Sequence, residues 1–198
     1  MKYVNQLNYP DIPYITRTSL SGEDYEYGQK TTVKSSGCGL CASVMVADRL
    51  IPNCDFELTD ALTLSYESGA NYKSGTTYSR YAPAFAKKLG LEYKATDDVL
   101  ELRECLLSGG AAVALVCGDT KKKVGLFTHR RHYITLINLE PDGRVAVLDP
   151  SFKDGKYEEE GRAGKVQMKN GVIALCDINE IVADKVEDKS LFYLFWRK

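Results

Sequence analysis

Residues 34–52 constrain the fold more than any other stretch of the sequence. In this stretch, small, turn-forming residues lead directly into a long apolar run. Apolar side chains at positions 42, 45, 46 and 50 define one helical face, and positions 41, 44 and 47 widen it. The pattern predicts a helix that is buried on most sides. Ser36 is its expected N-cap, Cys38 lies in its first turn, and Pro52 stops it just after Ile51.

Cys38 is a candidate nucleophile because of its position at the start of this helix. Unpaired backbone N–H groups and the positive end of the helix dipole stabilise a thiolate there, and the thiolate is the reactive form of cysteine. The alternative interpretation is that Cys38 is a small core residue, as most free cysteines are. Position alone does not decide between the two.

Composition limits the function classes that need to be considered. The 198 residues suit one domain with a sizeable core, and a net charge of −1 gives no electrostatic footprint for nucleic acid or an anionic membrane. No apolar run approaches the roughly 20 residues that span a bilayer. The N-terminus lacks the apolar segment of a signal peptide, so we expect a cytosolic location, although a removed leader would not be visible.

Periodicity predicts helices first and strands afterwards. Helices are expected at residues 58–67, 78–89 and 98–107, the last with a capping box from Asp98 to Glu101. Strands are expected at residues 111–117, 132–139, 144–148, 172–175 and 191–196. Residues 1–33 are expected to form an extended arm and residues 71–77 a polar loop. This order predicts an α+β fold with an antiparallel sheet, in a single domain of a mainly helical half (1–110) and a mainly β half (111–198).

The chain has two histidines, His129 and His132, and the second begins a predicted strand. Residues 140–143 have the composition of a hairpin loop, and the returning strand ends at Asp149. With a loop of four residues, or any even number, His132 and Asp149 face the same side of the sheet about 7–8 Å apart. Asp149 could then orient His132 as the third member of a nucleophile–base–orienter set. Alternatively, Asp149 only begins an Asp-Pro-Ser turn.

Basic residues flank the segment before His132, at positions 121–123 and 130–131. A solvated loop is the simpler interpretation, but basic residues beside a site could also attract an acidic substrate. Three of the six cysteines, at 105, 117 and 176, lie in apolar runs and are expected to be buried, reduced thiols.

Taken together, these motifs resemble the C39-like cysteine peptidases of the papain-like superfamily. The resemblance is carried by Ser36-Gly37-Cys38-Gly39, by His132-Tyr133-Ile134-Thr135-Leu136, by residues 142–150 that end in Asp149-Pro150, and by the helix at 81–91. It implies a papain-like fold in which the nucleophile helix packs on a C-terminal antiparallel sheet. Leu40 and Cys41 differ from the proline and the small or hydroxyl residue that are usual in the family.

The resemblance also implies a set of site residues. Cys38 would be the nucleophile, His132 the general base and acid, and Asp149 its orienter. The family's oxyanion-hole glutamine lies upstream of the cysteine, and Gln6 is the preferred candidate with Gln29 as the alternative. The implied reaction cleaves a peptide or amide bond with no cofactor or metal and no nucleic-acid partner, and the oligomeric state cannot be read from the sequence.

Three other hypotheses remain open at this level. Cys38 and Cys41 could form a redox dithiol, although that motif expects a preceding strand in a βαβ unit. The same cysteines with His129 and His132 could bind zinc. The chain could also be a catalytically silent peptide-binding module on the same fold.

Overall fold

The computed structural model describes residues 1–17, 27–186, 189 and 191–198, with the backbone alone for residues 27–30. The helices of this part are α1 (Val33–Ser36), α2 (Cys38–Leu50), α3 (Leu58–Glu67), α4 (Tyr78–Leu89), α5 (Val99–Leu107) and α6 (Ile178–Ala183), preceded by a 3-10 turn at Gln6–Asn8. The strands are β1 (Pro13–Arg17), β2 (Tyr27–Thr32), β3 (Asn71–Tyr72), β4 (Gly75–Thr76), β5 (Leu91–Thr96), β6 (Ala111–Val116), β7 (His132–Leu139), β8 (Val145–Leu148), β9 (Val166–Lys169), β10 (Ile173–Cys176) and β11 (Phe192–Arg197). None of the described helices is long and apolar enough to cross a bilayer.

The strands form two sheets. The larger sheet has the order β5-β11-β6-β7-β8-β10-β9 and is antiparallel at every pairing. The smaller sheet has the order β2-β1-β3-β4, with β1 and β3 parallel. Helices packed on an antiparallel sheet confirm the predicted α+β class.

The larger sheet is covered on both faces, and helix α2 lies against one of them. Alternate residues of β6 enter two different hydrophobic clusters, so all six of its positions are buried. Helix α2 packs on β6 and β7, and Thr135 of β7 donates a 3.1 Å hydrogen bond to the carbonyl oxygen of Ala42. The predicted helix with apolar residues on most sides is therefore present, and it carries Cys38 to one end of the sheet.

The start of α2 differs from the expectation. Ser36 is the last residue of the short helix α1, and Gly37 is the N-cap of α2. A Cβ atom at position 37 would lie 2.7 Å from the carbonyl oxygen of Val33, so only glycine fits this tight junction. Cys38 is thus the first residue of α2, and the helix ends at Leu50, one residue before the predicted end, with Ile51 as its C-cap.

Other differences fall where periodicity is weak. Part of the expected arm at residues 1–33 forms β1 and β2, and the expected loop at 71–77 contains the β3–β4 hairpin. Glu101 does not complete a capping box, because its carboxylate binds Lys94 at 2.8 Å while Asp98 caps α5 through the N–H of Leu100.

The connection between β7 and β8 also differs from the prediction, but it leads to the same result. Leu139 pairs with Val145, which leaves five residues in the loop instead of four. An odd loop alone would place His132 and Asp149 on opposite faces. However, Ile137 is an extra, unpaired residue between the pairs Leu136–Val147 and Asn138–Ala146, and this β-bulge restores the predicted register at the His132 end.

Candidate active site

His132 and Asp149 are joined by a buried hydrogen bond. Nε2 of His132 lies 2.8 Å from Oδ1 of Asp149, and the two residues are 4% and 1% exposed. Since an ionised carboxylate can only accept, Nε2 carries the proton and Nδ1 is left to face another partner. The ring is therefore oriented by the carboxylate that the strand register placed beside it.

Three further residues hold the Asp149 carboxylate. Nζ of Lys156 lies 2.5 Å and the hydroxyl of Tyr157 lies 2.7 Å from Oδ2. Ser151 donates its backbone N–H to Oδ1 at 2.8 Å, and its hydroxyl lies 3.1 Å from Nε2 of His132. Burial alone would raise the pKa of Asp149, but the hydrogen bond and charge of His132 and the charge of Lys156 hold this pKa well below its usual range.

Lys156 is itself only 4% exposed, which is rare for a lysine without a partner. Burial lowers the pKa of Lys156, and the charge of Asp149 opposes that shift. Its ammonium also contacts the hydroxyl of Ser151 at 2.8 Å. A buried cation and the site's carboxylate thus form a pair behind the histidine.

The N-terminal segment braces the backbone of the turn that begins at Asp149. The Tyr3 hydroxyl donates to the carbonyl oxygen of Asp149, and the Asn5 amide donates to that of Phe152, both at 2.7 Å. The backbone N–H of Gln6 donates to the carbonyl oxygen of Pro150 at 2.7 Å. Residues 3–6 therefore form an N-terminal strap across the turn that follows Asp149.

Cys38 also interacts with the imidazole of His132. Burial alone would raise the pKa of the Cys38 thiol, but its hydrogen bond to His132 and the imidazolium charge lower this pKa below the usual thiol value. Burial lowers the pKa of His132, yet its hydrogen bonds to Asp149 and Cys38 outweigh that effect and raise the pKa to about 9. These opposite shifts favour a thiolate–imidazolium pair at neutral pH.

Cys38 and His132 line one cleft of about 250 Å³. On one side it is bounded by the start of α2 and by the β3–β4 hairpin, and on the other by β7 and β11. The residues that line it are Ser35, Ser36, Cys38, Tyr72, Lys73, Ser74, Gly75, Thr76, Thr77, Tyr78, Ser79, Leu115, Arg131, His132, Tyr133, Lys189 and Tyr193. A thiol and an imidazole in one accessible groove can act together on a bound acyl group.

The candidate oxyanion glutamines are placed differently from the other site residues. Gln6 is 6% exposed and donates its amide to the carbonyl oxygen of Lys34 at 2.7 Å, while its Oε1 is buried without a partner. Gln6 is not among the described residues that line the cleft. The side chain of Gln29 lies outside the described residues.

Comparison with known proteins identifies the architecture. The chain matches no protein-family model and no curated protein. It does match the peptidase domain of Streptococcus ComA, a bifunctional ABC transporter of a quorum-sensing pathway, with a TM-score of 0.51 and 14% identity over 93% of this chain and 99% of that one. A C39-like peptidase of Bacillus anthracis matches with a TM-score of 0.52 and 12% identity over 95% and 99%. The chain has the fold of the C39 peptidases.

Within this C39-like fold, the arrangement bears on the zinc hypothesis. His129 is exposed and binds Asp119 at 2.8 Å, with Glu159 at 3.5 Å, whereas His132 is buried against Asp149. In the part of the chain that the structure describes, no group of three or more His, Cys, Asp or Glu side chains is arranged to hold a metal ion. The four ligands proposed from the sequence are therefore not brought together.

The second cysteine of the pair lies inside the C39-like core. Cys41 is fully buried one turn after Cys38, and both thiols are free. Burial raises the pKa of Cys41, so this thiol stays protonated. The strand before these helices, β2, pairs antiparallel with β1, which is not the βαβ context that the redox motif expects.

Sequence reasoning missed three residues around Asp149: Ser151, Lys156 and Tyr157. They lie in a turn-rich segment without helical or strand periodicity, and the structure gives turns through most of residues 150–164. Closeness in sequence to Asp149 is the only signal that could have pointed to them.

Proposed function

We propose that this protein is a cysteine peptidase-like hydrolase that cleaves a peptide or amide bond. Cys38 is the nucleophile, His132 the general base and acid, and Asp149 the group that orients His132. The observation that carries the proposal is the imidazole held at Nε2 by a buried carboxylate and coupled to a helix-start thiol in the same cleft. The structural neighbours are C39 peptidase domains, which agrees with this class of reaction.

The reaction would proceed through a thioester. The Cys38 thiolate attacks the carbonyl carbon of the scissile amide, and the carbonyl oxygen takes the negative charge. The His132 imidazolium then donates its proton to the leaving nitrogen, the C–N bond breaks, and the amine departs. Neutral His132 next takes a proton from water, the hydroxide attacks the thioester, and the carboxylate product leaves as Cys38 returns to the thiolate.

Backbone and side-chain donors would stabilise the oxyanion. As the first residue of α2, Cys38 has a backbone N–H without an intrahelical acceptor. Gln6 is proposed as the second donor, since its amide nitrogen carries two protons and only one is used by Lys34. Removing one oxyanion donor typically raises the barrier by about 2.7–4 kcal/mol, so Gln6→Ala is expected to lower kcat by about 100-fold or more.

The extent and the location of this domain are also proposals. The two structural neighbours cover 93% and 95% of the chain, which supports one peptidase-like domain over residues 1–198. All six cysteines are free thiols, a pattern that is typical of a reducing compartment such as the cytosol.

Selective alkylation tests the proposal most directly. Substoichiometric iodoacetamide at pH 7 should modify Cys38 much faster than the other five cysteines, as mapped by mass spectrometry, and His132→Ala should remove this preference. A peptide library incubated with the wild type should yield cleavage products that the Cys38→Ala variant does not produce. Equal labelling of all accessible thiols together with an uncleaved library would refute the hydrolase and favour the silent binding module.

A further inference from the structure

The described side chains that line the active-site cleft include cations but no carboxylates. Three of its lining residues carry permanent positive charge, Lys73, Arg131 and Lys189, and none of its described lining residues is an aspartate or glutamate. This imbalance is local, because the whole chain has a net charge of −1. The cleft therefore differs in charge from the molecule around it.

The cations lie on both walls of the cleft. Lys73 occupies the turn of the β3–β4 hairpin in the smaller sheet, at a positive φ of 58°. Arg131 immediately precedes β7 in the larger sheet, next to His132. A substrate in the groove would pass between these two side chains, both of which are exposed.

Lys73 and Arg131 differ from other basic residues of the described chain in their ion pairing. Lys123 pairs with Asp184, and Lys185 with Asp97. Across residues 1–17, 27–186, 189 and 191–198, by contrast, neither Lys73 nor Arg131 forms an ion pair with a carboxylate.

The ammonium of Lys73 lies 5.3 Å from the centre of the Tyr72 ring, a contact that leaves its charge uncompensated. Lys189 follows Glu187 and Asp188 in the sequence. Like Glu23, Asp24 and Glu26, those two acids lie outside the described residues, and Lys73 and Arg131 are therefore the cations to which we assign the specificity.

Apart from the Cys38–His132 pair, the rest of the described lining is uncharged and consists of hydroxyl-bearing residues with Gly75 and Leu115. Hydroxyl groups of Ser35, Ser74 and Ser79 can donate hydrogen bonds to an anion but cannot compensate a cation. Charges of one sign in a groove with low-dielectric walls focus the field and raise the local concentration of the opposite charge. A carboxylate is therefore the ligand chemistry that this groove favours.

From this arrangement we infer that the cleft selects acidic peptides, with aspartate or glutamate near the scissile bond, and that Lys73 and Arg131 determine this specificity. The inference rests on the proposed peptidase function and adds a substrate class to it. Acidic side chains are held between the two walls, and peptides with basic side chains at the same positions are repelled.

Two alkylating agents of different charge test the inference without any turnover. Iodoacetate and iodoacetamide deliver the same carbon to Cys38, but only iodoacetate is anionic. We define the ratio as the rate constant of iodoacetate divided by that of iodoacetamide at Cys38. At low salt this ratio should be about tenfold lower in the double variant Lys73→Gln/Arg131→Gln than in the wild type. It should also fall in the wild type as salt is added, because the field is screened.

Lys87→Gln is the matched control, because Lys87 is an exposed lysine of α4 outside the cleft. This variant should keep the wild-type ratio. A ratio that is the same in the wild type, the double variant and the control overturns the inference. Since the ratio is measured at one thiol in folded protein, confirmed by circular dichroism, it does not depend on whether peptides are cleaved.

Matched peptides then separate the inference from the proposed function. A cleaved library peptide is resynthesised with Glu, Gln or Lys at each position flanking the scissile bond, and kcat/KM should fall in that order, mainly through KM. Equal kcat/KM for Glu and Lys would overturn the acidic preference and leave the peptidase function intact. If no library peptide is cleaved but the alkylation ratio still depends on the charges of the cleft, the result would contradict the hydrolase and support an anion-selective groove.

Discussion

Nζ of Lys156 and Nε2 of His132 contact the two different oxygens of one carboxylate, that of Asp149, at 2.5 and 2.8 Å. The negative charge that stabilises the imidazolium is therefore shared with a buried ammonium. Lys156 would act as a positioning residue, because it reaches His132 through Asp149 and through the Ser151 hydroxyl, and its charge would limit how basic His132 becomes.

Replacing Lys156 with methionine should raise the pKa of His132 above its present value of about 9, because Asp149 would then serve one cation instead of two. NMR titration of the histidine ring protons measures this directly, with exposed His129 as the internal reference. The variant should also lose roughly 3–5 kcal/mol of unfolding free energy, since one partner of a buried ion pair is removed. Tyr157→Phe is the control: it removes a neutral donor from the same oxygen and should shift the His132 pKa much less. An unchanged or lowered pKa in Lys156→Met would contradict the shared-charge arrangement.

The coupling between Cys38 and His132 predicts a characteristic pH dependence. Peptide cleavage should follow a bell-shaped profile. Its acid limb should lie below the ordinary thiol pKa, since the Cys38 pKa is lowered, and its alkaline limb near 9, where His132 loses its proton. Cys38→Ala should lower the His132 pKa in the NMR titration, because the thiolate that stabilises the imidazolium is gone. A His132 pKa that is the same with and without the thiol would show that the two groups do not interact.

Asp149→Asn should impair both activity and stability. An amide cannot stabilise the imidazolium and can present its NH₂ group to Nε2, so kcat should fall by at least about a hundredfold. Lys156 would also be left without its buried carboxylate, at a cost of roughly 3–5 kcal/mol.

The pH dependence of unfolding measures how much of this stability loss comes from the charge of Asp149. The folded-state pKa of Asp149 is depressed, so its contribution to stability is present above about pH 4 and lost as the pH falls further. The unfolding free energy of the wild type, measured in urea, should therefore fall more steeply below pH 4 than that of Asp149→Asn. Parallel curves for the two proteins would mean that Asp149 carries no extra charge stabilisation.

Gly39 lies at the start of α2, packed between β4 and β7. A Cβ atom there would meet Cβ of Thr76 at 3.0 Å and Cδ2 of Tyr133 at 3.2 Å. Gly39→Ala should therefore move α2 away from the β3–β4 hairpin or from β7, with a loss of roughly 1–3 kcal/mol in unfolding free energy and slower alkylation of Cys38. Thermal unfolding and the iodoacetamide rate measure the two effects. A faster alkylation rate at unchanged stability would exclude this close contact.

How far the sequence predicts this molecule depends on the kind of element. Helices α3 and α4 begin and end where the sequence predicts, because a regular apolar stripe defines each of them. Strand β5 was not expected, since four of its six positions in a row are exposed and no alternation marks it. Local pattern thus identifies elements that bury one face and misses those held mainly by backbone pairing.

The candidate site likewise contains residues that a local sequence pattern predicts and residues that it does not. The sequence predicts that His132 and Asp149 lie on the same face of the sheet, from an even number of loop residues. The loop has an odd number of residues, and the two side chains share a face because the bulge at Ile137 shifts the register by one. Lys156 has no local signal, because its burial depends on a turn that packs only in the folded chain. The roles of Cys38, His132, Asp149 and Gln6 remain predictions.

The N-terminal strap, residues 3–6, supports the candidate site although it lies far from Asp149 in the sequence. Tyr3, Asn5 and Gln6 tie the chain start to the turn at residues 149–152. Proteolytic removal of these residues would free that turn and weaken the hold of Asp149 on the imidazole.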